Sequence, residues 1–160
     1  MTNKELITMM CEAGKNELER TFAAVPDDKL KFEAAPGVRT PLDAFGQAAQ
    51  SLGLAVALIN GRHQGFDNFD IRAAMGQMAG ERAGWSRQDA LTHMEMGWSA
   101  FKAALEPLTE EEIGAPLTLP FGGGTTAPLG YWLMTTYRNF VSRFAQINLI
   151  QTVYGDFDPH

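Results

Sequence analysis

Apolar positions recur every three or four residues in four separate stretches of this chain, and each stretch has its own boundary signals. Over about residues 3–24, Ile7, Met10, Leu18 and Phe22 keep a near-3.6 period, with Val25 just beyond. Thr2 and Glu5 stand as a T-x-x-E capping box at its start. The second stretch opens on Thr40 as cap, Pro41 at the first helical position and Asp43 in the positive first turn. Leu42, Phe45, Ala49, Leu52, Val56 and Ile59 then form one stripe. Leu54 and Leu58 lie nearly opposite it, on the side that carries Gln47. A helix apolar on two sides is covered on two sides, so that second surface is expected to face a loop, a pocket or another subunit.

The third stretch starts at Ser86 with Asp89 in its first turn, runs through Leu91, Met94, Trp98, Phe101 and Leu105, and ends at Pro107. The fourth runs from about Pro128 to Tyr154 and stops at Gly155. Its core stripe is Leu133, Tyr137, Phe140, Phe144 and Ile147, and beside it runs a polar stripe of Thr136, Asn139, Arg143 and Gln146. Phe140 and Phe144 read as core knobs and Gln151 as a residue whose truncation costs little. Between these stretches, residues 26–30 read as a turn or a single helical turn, and Asp70 to Ala79 as a short helix in a glycine-rich region. Residues 114–127 read as an irregular loop or a short hairpin around Leu117, Thr118 and Leu119. The pattern predicts an all-α fold: one domain over residues 1–160, an antiparallel four-helix bundle with short extra helices.

Composition narrows the function classes without selecting one. In 160 residues, 45% are apolar and 20% charged, proportions that fill a globular core. The net charge of −6, with no basic block, argues against nucleic acid and anionic membrane as partners, since phosphate binding needs clustered positive charge. The apolar run from Leu52 to Ile59 is shorter than the ~20 residues that span a bilayer, and Lys4, Glu5, Glu12 and Lys15 interrupt any signal-peptide core. Cys11 is the sole cysteine, which fits the cytoplasm and excludes an intrachain disulfide. Gly122, Gly123 and Gly124 suggest a phosphate loop, but no lysine followed by serine or threonine comes after them, and a flexible loop is the better reading.

Three segments, in order, carry a resemblance to a known family. Val25 to Leu30 is similar to a "VPxxKL" turn after the first helix, Arg39 to Ala49 to a helix-two opening, and Arg143 to Asp156 to a closing "HxGQIxYxxxxxGD". Together they resemble the DinB-like (damage-inducible) four-helix-bundle family, related to thiol-dependent metal transferases. The resemblance implies a divalent metal held by three histidines, one on helix two and two on helix four. The matching positions here are Gln47, Asn139 and Arg143. A carboxamide offers a poor oxygen ligand and a guanidinium only donors and a positive charge, so no metal and no cofactor are expected. His63, His93 and His160 have no H-x-x-x-H or H-E-x-x-H spacing with which to rebuild the site.

The candidate pocket residues are therefore Gln47, Asn139, Arg143, Thr136 and Gln146, with Trp132 one turn before Thr136 as a wall. They line either a small-molecule site suited to an anion or a structural network closed by a carboxylate such as Asp43. The expected function is that of a binding or interaction module. The alternative is a thiol-dependent transferase or hydrolase-type enzyme with altered or residual activity. The family resemblance and the second apolar side at Leu54 and Leu58 imply a homodimer.

Overall fold

Six α-helices and one short hairpin make up the described residues of the computed structural model, which are 1–66, 69–120, 124–158 and 160. The four long helices are α1 (Asn3–Ala24), α2 (Pro41–Gly61), α4 (Arg87–Leu105) and α6 (Leu129–Val153). Their caps are those the sequence signals. Thr2 accepts from the Glu5 N–H and Thr40 from the Asp43 N–H, while Ser86 and Asp89 close a capping box. Gly155, at φ +94°, takes the left-handed turn that stops α6.

In the bundle α6 packs on both α1 and α2, and α2 packs on α4. Phe22 of α1 stacks on Phe45 of α2 with ring centroids 4.0 Å apart, and both are fully buried together with Leu52, Met94, Phe101, Leu133 and Phe140. Helices α1 and α6 approach closely at Gly14, where an added Cβ would stand 3.0 Å from the Tyr137 ring. By length and composition α2 is apolar enough to span a bilayer, longer than the Leu52–Ile59 run suggested. Yet 61% of its most apolar window is buried inside the protein, so those side chains build the bundle core.

Two readings of α6 are corrected. Phe144 is only half-buried at the edge of the core, whereas Gln151 is 2% exposed. Helix α6 is packed along its whole length, and its last turn folds Gln151 inward beside the Tyr154 hydroxyl without a hydrogen bond of good geometry. A polar residue read in isolation looked like surface because the segment beyond Gly155, which folds back toward α1 through the bond from Thr21 Oγ1 to the His160 carbonyl, has no apolar period of its own.

The connections carry structure too. Residues 26–30 contain a 3-10 turn at Asp27–Lys29, and α3 covers Ile71–Arg82 behind Asp70, whose carboxylate accepts from the Ala73 N–H. A short helix not foreseen from the sequence, α5 (Glu110–Gly114), starts at a Thr109–Glu112 capping box. β1 (Pro116–Leu119) pairs antiparallel with β2 (Thr125–Pro128), so of the two readings for this region the paired strands are the one found. Of the three consecutive glycines, Gly122 and Gly123 lie outside the described residues.

Two arginines fasten these pieces. Arg87 at the start of α4 donates to the carbonyls of Phe22 (2.9 Å) and Val25 and pairs with Asp27 (3.0 Å), satisfying the open C-terminal end of α1. Arg62 just past α2 donates to Glu112 Oε1 at 2.5 Å. The Arg62 bond, helped by the Thr109 N–H, pulls the Glu112 pKa down to about 2. A depressed carboxylate pKa contributes stability that is present above its unfolded value of ~4.3 and is lost as pH falls toward the folded value. Glu112→Gln is therefore expected to lower Tm at pH 7 and to lose that effect progressively from about pH 5 down to about pH 2. Thermal scans over that range check it, and a Tm difference independent of pH would sink the assignment.

Candidate functional site

The polar residues of α2 (Asp43, Gln47 and Gln50) follow at spacings of four and three and so share one face of an otherwise apolar helix. They gather arginines from distant parts of the chain. Arg82, at the end of α3, donates to Asp43 Oδ1 at 2.6 Å and to Gln50 Oε1 at 3.0 Å. Arg39, before α2, reaches Asp43 Oδ2 at 3.5 Å. Gln50 in turn donates to the Met78 carbonyl at 2.9 Å, which docks α3 on α2.

Arg143 of α6 completes the group. Burial first, and then the positive charge of Arg39, lower its pKa below the ordinary arginine value; Asp43 opposes this and Arg82 adds to it. The guanidinium stays charged, since arginine is not deprotonated in proteins. Its Nη1 donates to Gln146 Oε1 at 2.7 Å, while its Nε is buried without a partner. On α2, one turn beyond Asp43, Gln47 Oε1 is likewise buried and unpaired. Two guanidiniums, those of Arg39 and Arg82, thus pair with Asp43, and that of Arg143 feels the charges of all three without an ion pair to the carboxylate.

The six residues singled out from the sequence fall in different places. Gln47, Arg143 and Gln146 belong to the polar side where α2 and α6 meet. Asn139 and Trp132 instead line a cleft of about 470 Å³. Thr136 is buried within the bundle. Gln47, Asn139 and Arg143 are not hydrogen-bonded to one another, and Asp43 is held by Arg82 and Arg39, so the structural network envisaged among the three does not form. Sequence reasoning passed over Arg39, Arg82 and Gln50. The spacing of Asp43, Gln47 and Gln50 was the signal for the α2 part; nothing local marks Arg82 as its partner.

The cleft lies where the second apolar side of α2 faces outward. Leu54 and Leu58 form one wall, Ile71 and Met75 of α3 another, and the Trp132 indole a third. Trp132 is fixed by its N–H, which donates to the Leu117 carbonyl of β1 at 2.9 Å. Thr135, Arg138 and Asn139 supply polar groups from α6.

The remaining reactive side chains are accounted for locally. Cys11 is fully buried, and burial pushes its thiol up to about 12, which leaves it without nucleophilic character. His93 stacks on Trp85 at 4.0 Å with Nδ1 2.8 Å from the Asp89 carbonyl, and His160 Nε2 lies 2.9 Å from Asp156. His63 is exposed, 3.9 Å from Glu112. Among the described residues, no three histidine, cysteine or acidic side chains cluster as metal ligands would.

Comparison with known proteins agrees with this architecture. The chain is similar to a crystal structure of a protein from Streptococcus pneumoniae at a TM-score of 0.75, covering 96% of this chain and 92% of that one. At 14% identity that likeness carries the fold and nothing further. No curated protein matches the sequence. The DinB superfamily model matches residues 10–137, a span that contains Gln47 and ends just before Asn139 and Arg143. Both the helical architecture and that match place this chain in the DinB superfamily, to which it belongs.

Proposed function

We propose that this chain is a DinB-superfamily protein without the three-histidine metal site, and that it binds a small anion where Arg143 faces α2. The observation that carries the reading is the guanidinium group around Asp43. Arg39 and Arg82 pair with one carboxylate, Arg143 adds a third positive charge close enough to be felt there, and Arg143 keeps a buried N–H without a partner. Buried donors without partners are costly, so a ligand that accepts from Arg143 Nε recovers free energy that the free protein lacks. A planar guanidinium favours carboxylate or phosphate over other ligands. A divalent metal does not fit the same residues: two carboxamides and a guanidinium supply no imidazole, and Arg143 repels the cation.

Metal binding tests this reading against a metal-dependent transferase. Purified wild-type protein is expected to contain no stoichiometric zinc or nickel by elemental analysis. The triple replacement Gln47→His, Asn139→His, Arg143→His is expected to gain zinc affinity in calorimetry, rising with pH as the imidazoles deprotonate. Arg143→His alone serves as the control. Stoichiometric metal in the wild type overturns the proposal in favour of the enzyme. A folded triple variant that binds no more zinc than wild type removes the correspondence of these three positions with the family's site.

A further inference from the structure

The cleft between α2, α3, α6 and the hairpin shares no lining residue with the guanidinium group around Asp43. Its walls are apolar, yet one polar edge stands out. Arg138 is exposed and, among the described residues, has neither an ion pair nor a side-chain hydrogen bond; Asn139 beside it has no side-chain hydrogen bond either. On a chain of net charge −6, most of whose other arginines are paired, this is a free cation at the edge of an apolar hollow. We propose that the cleft binds a monocarboxylic acid with an extended apolar body, the body lying against Leu54, Leu58 and Met75 and the carboxylate meeting Arg138.

Size suits a small molecule: the volume of about 470 Å³ lies within the range of ligand pockets. At roughly 30 Å³ for a water-sized group, the cleft admits up to about sixteen non-hydrogen atoms, which leaves room for an acid of about ten carbons. Desolvating the walls supplies affinity without direction, as apolar burial does. The forked guanidinium supplies direction by taking both carboxylate oxygens, and Asn139 and Thr135 offer further hydrogen bonds on the same helix. Met75 gives the wall an adaptable surface, so acids of somewhat different shape fit.

Calorimetry with decanoate, kept below its micelle concentration, and with decanol separates these contributions. Saturable one-to-one binding of decanoate is expected, with decanol about tenfold weaker because it lacks the charge. Arg138→Gln, at an exposed position that leaves the fold intact, is expected to abolish the preference for decanoate while decanol binding persists. Met75→Asp, on the exposed face of α3, is expected to weaken decanoate at least about tenfold by placing a like charge in the wall. Equal affinities for acid and alcohol, or no saturable binding, overturn the proposal. Loss of decanoate binding in Arg143→Gln with retention in Arg138→Gln also overturns it, by moving the acid to the guanidinium group around Asp43. The small-anion reading there stands or falls separately, since its metal and variant tests use none of the cleft residues except Asn139.

Discussion

Phe140→Ala is expected to remove ~3–5 kcal/mol of unfolding free energy, the largest single effect on this fold. The ring is fully buried on α6, and its Cβ would lie 3.3 Å from a Cβ added at Gly14, so it fills the space where α1 and α6 come closest. Truncation leaves a cavity that rigid backbones on both sides cannot close, which puts the cost above simple loss of apolar contact. Phe144→Ala, one turn later at the edge of the core, is expected to cost about half as much because solvent already reaches part of the ring. Leu149→Ala, at a side chain 65% exposed, is expected to cost under ~0.5 kcal/mol. Urea unfolding of the three variants ranks them. Equal losses at Phe140 and Phe144 contradict the packing of α6 described above.

Asp43→Ala is the second large effect, at about 2–3 kcal/mol, because it strips the paired carboxylate from Arg82 and Arg39 and leaves the Arg143 charge nearby unopposed. The side chain of Arg82 is only 9% exposed, so water does little to replace the lost partner. The Asp43 carboxylate is one-third exposed, which holds the cost below that of a fully buried pair. The variant also opens a space of carboxylate size among three cations. Formate is accordingly expected to raise the Tm of Asp43→Ala by several degrees beyond the effect of sodium chloride at equal ionic strength, and to do so less for wild type. Identical responses to formate and chloride mean that the three arginines do not hold an anion together. Asp43→Asn keeps the shape and isolates the charge.

These two residues also mark how differently the chain discloses its fold and its site. Phe140 was legible as core because a helix core repeats along the sequence, and Leu133, Tyr137 and Phe140 follow one another at helical spacing whatever they pack against. Phe144 and Gln151 were misread at the same level, since periodicity gives a face and not the depth to which neighbouring elements cover it. The short helix α5 escaped notice because five residues hold too few apolar positions to show a period, although Thr109 and Glu112 form a capping box as regular as the one at Thr2. For the site, the polar positions on α2 and α6 stood out against apolar helices. Their partners did not: Arg82 comes from α3, 39 residues beyond the Asp43 that it binds.

By itself the sequence determined the helices, their caps and stops, the bundle class and the presence of polar residues such as Gln47, Asn139 and Arg143 on otherwise apolar helices. All of these follow from short-range rules: hydrogen-bond capping within a turn, the helical repeat of apolar side chains, and the donor chemistry of single residues. Only the tertiary structure decided that Asn139 lines an apolar cleft while Arg82 and Arg39 pair with Asp43, and that Leu54 and Leu58 face that cleft. Those outcomes depend on how α3 and the hairpin lie against α2 and α6. Such docking is set by side-chain volumes and charges summed over residues far apart in the chain, and no local pattern records that sum.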